Sequence, residues 1–190
     1  MSEHDLPKLI HNARRDYGAE HARLLEELEK TLGISDEKTL TELVVAYEKF
    51  EDSSLRLFPG VTDLPKLLIR NKIKMGVVTN GDAFRQWKKL LVLGIADLFD
   101  FVAISTAVGI AKPDPQIFQL ALDSLAGDPT RSVFVGDRPD LDTKGAKQSG
   151  MYTIRVLQGR ASNMQPSNRM ETADAELTSV DNVGRHLFGP

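Results

Sequence analysis

The sequence predicts an α/β fold built on a doubly wound, mainly parallel sheet, and three observations carry that prediction. Short apolar runs alternate with helical patterns from residue 58 onward. Two of those runs stop abruptly at polar loops, Val77-Val78-Thr79 at Asn80-Gly81 and Val133-Phe134-Val135 at Gly136-Asp137. The second loop crowds Asp137, Asp140 and Asp142 into six positions, and open α/β sheets place ligands where strands end in such loops.

The chain up to about Phe50 reads as helix. Leu6, Leu9, Ile10, Ala13 and Tyr17 keep helical spacing, with Asp5 able to cap and Pro7 tolerated in the first turn. Gly18 interrupts, Leu24, Leu25, Leu28 and Leu32 resume the stripe, and Gly33 ends it. Ser35 is the expected cap of a third helix carrying Leu40, Leu43, Val44 and Tyr47. These stripes predict helix packing rather than a cofactor site. Composition changes at Phe58-Pro59-Gly60-Val61, a turn signal.

Beyond that turn, Thr62 to Asn71 predicts a helix and Ile73 to Thr79 a buried strand. Asp82 to Leu93 predicts a helix ended by Gly94, and Phe101 to Ser105 the next strand. A loop from Ala107 to Asp114 leads to a helix over Pro115 to Leu125. Val133 to Val135 is a strand, followed by the acidic loop and a helix to Ser149. Tyr152 to Leu157 is another strand, Gln158 to Glu171 a polar surface loop, and Ala175 to Leu177 a short element before a last helix.

Composition narrows the function classes. The 190 residues suit one domain, or one domain with a small insert, and 41% apolar residues suffice for a sizeable core. A net charge of −3 advertises no general affinity for nucleic acid. The absence of cysteine removes disulfides and thiol nucleophiles and suits a reducing cytosol. No apolar run reaches membrane-spanning length and Met1 to Asp5 carries no signal pattern, so a cytoplasmic location is expected.

Three loops offer chemistry. The hydroxyl and backbone amides of Thr79-Asn80-Gly81 can hold phosphate oxygens, although Asn-Gly alone is also an ordinary turn. Lys112 precedes Pro113 and Pro115, which stiffen its loop, and a lysine so placed can offset phosphate charge. Clustered carboxylates repel one another unless a hard cation lies between them, and Mg²⁺ is the usual one. The alternative for the acidic loop is a polar turn with Asp142 capping the next helix.

Taken in order, Thr79-Asn80-Gly81, Lys112-Pro113-Asp114-Pro115 and Gly136-Asp137-Arg138-Pro139-Asp140-Leu141-Asp142 resemble the second, third and fourth motifs of the haloacid dehalogenase (HAD) superfamily. Pro113 to Phe118, Gly145-Ala146 and Gly150-Met151 are similar to the family's flanking text, and the helices before Pro59 to its small helical cap. The resemblance implies a three-layer, Rossmann-like core over residues 58–190 with an all-helical cap over residues 1–57. It also implies a Mg²⁺-dependent phosphatase of small phosphorylated metabolites, working through an aspartyl-phosphate. Thr79 and the amide of Asn80 would bind the phosphoryl group, and Lys112 would neutralise its charge and orient the nucleophile. Asp137 would bind Mg²⁺ directly, with Asp142 in the same shell or supporting it through water. Arg138 and Asp140 would order the loop.

The family's first motif, Asp-x-Asp-x-Thr after an apolar strand, has no counterpart here. Asp5 follows no strand, Asp16 lies in a helical stretch, and Asp140-Leu141-Asp142 already serves the fourth motif. The nucleophile is therefore assigned to no residue, and the chain as written is expected to be inactive. The missing strand would lie between Ile73–Thr79 and Val133–Val135. A gap there would cost several times the ~1 kcal/mol of one buried hydrogen bond and would favour homodimers or aggregation. N-terminal truncation or a displaced start codon is the simplest explanation, ahead of a natural loss. A phosphate- and metal-binding pseudoenzyme is the alternative. A dehalogenase ranks below both, because halide displacement needs no metal and the acidic loop suits one.

Overall fold

The computed structural model describes residues 54–189 together with 26, 29–30, 33, 35–36, 38–43 and 45. The chain divides into two compact units, Met1–Leu55 and Arg56–Pro190. The stripes expected at Leu6 to Tyr17 and Leu24 to Leu32 lie outside the described residues, as does any strand before them. In the first unit residues 38–43 are helical, but Asp36 rather than Ser35 caps them. Its Oδ2 accepts the Thr39 backbone N–H at 3.0 Å and its carbonyl accepts Leu40 N–H at 3.0 Å. Both residue types cap well, and the carboxylate gains more from the positive end of the helix.

The second unit alternates strand and helix. Its strands are β1 (Gly76–Thr79), β2 (Phe101–Ile104), β3 (Val133–Gly136), β4 (Tyr152–Val156) and β5 (Ala175–Leu177). Its α-helices are α1 (Asp63–Arg70), α2 (Ala83–Val92), α3 (Ser105–Val108), α4 (Pro115–Leu125), α5 (Lys144–Gln148) and α6 (Asp181–Phe188). Every described ladder is parallel, as the alternating pattern predicts. The strand expected from Ile73 starts only at Gly76, because Met75 pairs instead with Asp100: its N–H donates to the Asp100 carboxylate at 2.8 Å. The one-turn α3 was not expected. It begins at Ser105, where β2 ends and Ser105 and Thr106 turn their hydroxyls toward Gly81.

Among the described residues the strands form two sheets, β1-β2 and β3-β4-β5. No described ladder joins β1 to β3. Val135 stands opposite Ile154 in the ladder and faces the same side, yet Ile154 is buried while Val133 and Val135 are exposed. One helix spans both sheets on the other face. Ile117 and Phe118 of α4 pack with Ala103 of β2 and Ala146 of α5, and Val78 of β1 and Phe134 of β3 close over them. Phe118 meets Phe134 edge to face at 4.9 Å between ring centres. On the opposite face α1 and α6 cover Ile154 and Val156 through Leu64, Val183 and Leu187. Two helical layers thus sandwich the parallel strands. None of the described helices is long and apolar enough to cross a membrane.

Phe118 is 1% exposed and ties β1, β2 and β3 to one helix. Phe118→Ala is expected to cost about 3–5 kcal/mol of stability, read as a lower urea midpoint. A loss under about 1 kcal/mol would show that the two sheets do not depend on this contact.

Candidate active site

The C-terminal ends of β1, β2 and β3 bring the expected residues together. β1 ends at Thr79, and Asn80 turns sideways to clamp the Lys112 backbone. Asn80 Nδ2 donates to the Lys112 carbonyl at 2.9 Å, and Lys112 N–H donates to Asn80 Oδ1 at 2.8 Å. A ligand would therefore meet Asn80 through its backbone. The Gly81 N–H, also a candidate for phosphate, is instead donated to Ser105 Oγ at 2.9 Å.

Lys112 reaches across to the acidic loop. Its Nζ donates to Asp142 Oδ1 at 2.6 Å, with side chains only 12% and 7% exposed. The ammonium also lies 5.6 Å from the centre of the Phe134 ring, within cation–π range. The other Asp142 oxygen accepts the backbone N–H groups of Asp137 at 3.1 Å and Arg138 at 3.0 Å. Asp142 thus gathers its own loop rather than capping the helix that follows. A wide turn over Pro139–Thr143 makes this reach possible: both Asp142 N–H and Thr143 N–H donate to the Arg138 carbonyl, at 2.8 and 3.2 Å. Such turns recur at functional sites. Gly136 is equally required, since a Cβ there would stand 2.4 Å from Asp142 Oδ2.

Asp137 is the carboxylate left over. Burial pushes its carboxyl up, the charge of Asp142 adds to that, and hydrogen bonds from its own and the Ala161 backbone together with the Lys112 charge oppose it. Arg138 grips Asp140, donating Nε to Oδ1 at 2.8 Å and Nη2 to Oδ2 at 2.6 Å. The hydrogen bond from Arg138 holds the Asp140 carboxyl below its usual range.

Two side chains that build the site escape the sequence reading. Gln86 of α2 reaches back to β1, with Nε2 2.8 Å from Thr79 Oγ1 and 2.7 Å from the Asn80 carbonyl. Arg155 lies inside β4 and is 2% exposed. It donates to Glu176 Oε1 at 2.9 Å and to the carbonyls of Ala161 at 3.0 Å, Ser162 at 3.3 Å and Met164. Residues 159–164, expected as an unpatterned surface loop, are thereby folded onto the sheet and lie beside Asp137, whose Oδ2 would stand 3.6 Å from a Cβ on Gly159. A charged residue in an otherwise apolar strand was the available signal.

A family profile for haloacid dehalogenase-like hydrolases matches residues 2–150. The chain belongs to this family. Glyceraldehyde 3-phosphate phosphatase from Methanopyrus kandleri is 36% identical over 178 residues, 93% of this chain and 76% of that protein. The protein of the same name from Methanocaldococcus jannaschii is 33% identical over 94% of this chain and 79% of its own length. A solved HAD phosphatase from Thermococcus onnurineus superposes with a TM-score of 0.67 at 25% identity, covering 97% of this chain and 88% of that one.

HAD phosphatases generally use Mg²⁺. Among the described residues no three His, Cys, Asp or Glu side chains are grouped so as to hold a metal ion by themselves. Mg²⁺ binds readily through one or two carboxylates, with water and substrate phosphate filling the remaining positions. Asp137, half-buried and with its carboxyl pushed up by that burial, is the acidic-loop carboxylate that would meet such an ion.

Two outcomes test this geometry. The folded-state Asp137 carboxyl titrates above its unfolded value, so its ionised form costs stability above the folded pKa and nothing below the ordinary carboxylate range. In metal-free buffer Asp137→Asn is expected to raise the urea midpoint at neutral pH, with the gain fading as pH falls through that range. Arg155→Met removes donors from three carbonyls and one carboxylate, and is expected to cost about 3 kcal/mol. Limited proteolysis should then cut within residues 159–171, and the parent chain is expected to resist there.

Proposed function

We propose that this HAD hydrolase is a Mg²⁺-dependent phosphatase of a small phosphorylated metabolite, with Thr79, Asn80, Lys112, Asp137 and Asp142 as its working groups. The observation that carries this is the Lys112–Asp142 pair at 2.6 Å, which draws the β2–α4 loop and the acidic loop into one site. Phosphoryl transfer asks mainly for positioning and charge neutralisation, and these groups supply both. Lys112 would face the phosphoryl oxygens and orient the attacking carboxylate. The Thr79 hydroxyl and the Asn80 backbone would hold the oxygens that do not react. Asp137 would ligate Mg²⁺, with Asp142 in the same shell or supporting it through water. When bound, the ion neutralises charge on the phosphoryl oxygens.

Among the described residues none is assigned the nucleophile's place. In the chain's only Asp-x-Asp, Asp140 is held by Arg138 and Asp142 by Lys112 and two backbone amides, so neither carboxylate is available to attack. The chain alone is therefore expected to release no phosphate. The names of the two archaeal relatives make glyceraldehyde 3-phosphate the first substrate to assay.

The test extends the chain with the upstream in-frame segment and follows phosphate release from glyceraldehyde 3-phosphate with Mg²⁺ or with EDTA. Release is expected only with the extension and Mg²⁺, and Lys112→Ala in the extended chain should lower kcat/KM by roughly a hundredfold or more. An upstream frame with no apolar strand carrying Asp-x-Asp would overturn the phosphatase proposal. Binding without turnover would then stand in its place, checked by calorimetry of the folded chain with Mg²⁺ and glyceraldehyde 3-phosphate.

A further inference from the structure

Gln86 stands outside the three motif loops, yet its carboxamide is the group that touches the β1 tip most closely. The Asn80 carbonyl can only accept, so the atom 2.7 Å from it must be the amide nitrogen, which settles the orientation of the side chain. The second hydrogen of that nitrogen then points at Thr79 Oγ1, 2.8 Å away. The Thr79 hydroxyl therefore serves as an acceptor toward Gln86, and its own proton must be donated elsewhere. Among the described residues the one internal acceptor within reach is the Asn80 carbonyl at 3.4 Å, a long contact to an oxygen that Gln86 already occupies.

The surrounding bonds leave the tip little freedom to rearrange. Gly81 donates its N–H to Ser105 Oγ at 2.9 Å, and its carbonyl accepts Thr106 Oγ1 at 2.9 Å. Gly81 has φ +135°, and a Cβ there would stand 3.0 Å from Gln86 Nε2, so the backbone turns directly over the carboxamide. Asp82 caps α2 by accepting Arg85 N–H at 2.9 Å, which fixes the first turn from which Gln86 projects.

We propose that Gln86 is a positioning residue that presets Thr79 as a hydrogen-bond donor to a phosphoryl oxygen. This rests on the phosphate-binding role proposed for Thr79. A threonine hydroxyl can donate or accept, and a ligand that only accepts is served by one of those states. By holding the oxygen as an acceptor, Gln86 selects the useful state before the ligand arrives.

The test is a double-mutant cycle on this chain with inorganic phosphate as the probe, followed by ³¹P NMR titration. Gln86→Leu is expected to weaken phosphate binding roughly tenfold, the scale of one hydrogen bond. In a Thr79→Val background the same change should have almost no further effect, because Gln86 acts through the hydroxyl. Gln86→Glu keeps the volume but offers acceptors to the Thr79 proton, and should weaken binding at least as much. An equal loss in both backgrounds, or parent-like binding by Gln86→Glu, would overturn the proposal. Three-bond couplings to the Thr79 methyl give a ligand-free check: one χ1 rotamer in the parent, averaging in Gln86→Leu. An unchanged rotamer would sink the Gln86 role by itself. A fixed rotamer in a parent chain that binds no phosphate would instead sink the phosphate role of Thr79, leaving Gln86 a packing residue.

Discussion

The ion pair between Lys112 and Asp142 holds the site together. It joins a loop that follows β2 to a loop that follows β3, strands that share no ladder among the described residues. Taking both charges out of water is costly, and a buried pair seldom adds net stability. Here the remaining lone pairs of Asp142 are met by the N–H groups of Asp137 and Arg138, so the pair specifies an arrangement more than it strengthens the fold. Phe134 beneath the ammonium links that arrangement to the apolar core through Phe118.

Each wall of the site is then held by bonds to main chain. Asn80 reads both backbone groups of Lys112, Ser105 and Thr106 read both backbone groups of Gly81, and Asp142 reads two successive amides. Backbone groups cannot change rotamer, so side chains that bind them inherit the rigidity of the strands. This is how a site spread over three loops keeps its geometry with only short strands beneath it.

Much of this was legible in the sequence because strand ends and loop chemistry are local. Pro115 to Leu125 is the helix expected there, the short element expected at Ala175 to Leu177 is a strand, and Thr79, Lys112, Asp137 and Asp142 stand at strand ends or in the loops beyond them. What escaped was long-range or two-sided. Ser35 and Asp36 are both good caps, and local pattern cannot choose between neighbours. Gln86 occupies the helix face of Ala83, Leu90 and Leu93, and nothing local marks its partners at Thr79 and Asn80. The partners of Arg155 lie six to 21 residues away and are mostly carbonyls, which leave no trace in composition. The Asp142 role depended on a widened turn that only the folded backbone displays.

Arg155 has one more consequence, for how such a protein can diversify. It grips residues 161, 162 and 164 solely through their carbonyl oxygens, so it recognises the course of the chain and not its side chains. Ser162 and Asn163 are thus free to be rewritten without loosening the anchor, while the loop they belong to stays beside Asp137 at Gly159. The fold carries an editable rim beside a fixed centre. A library randomised at 162 and 163 would sample new surfaces at the site's edge while keeping the same foundation.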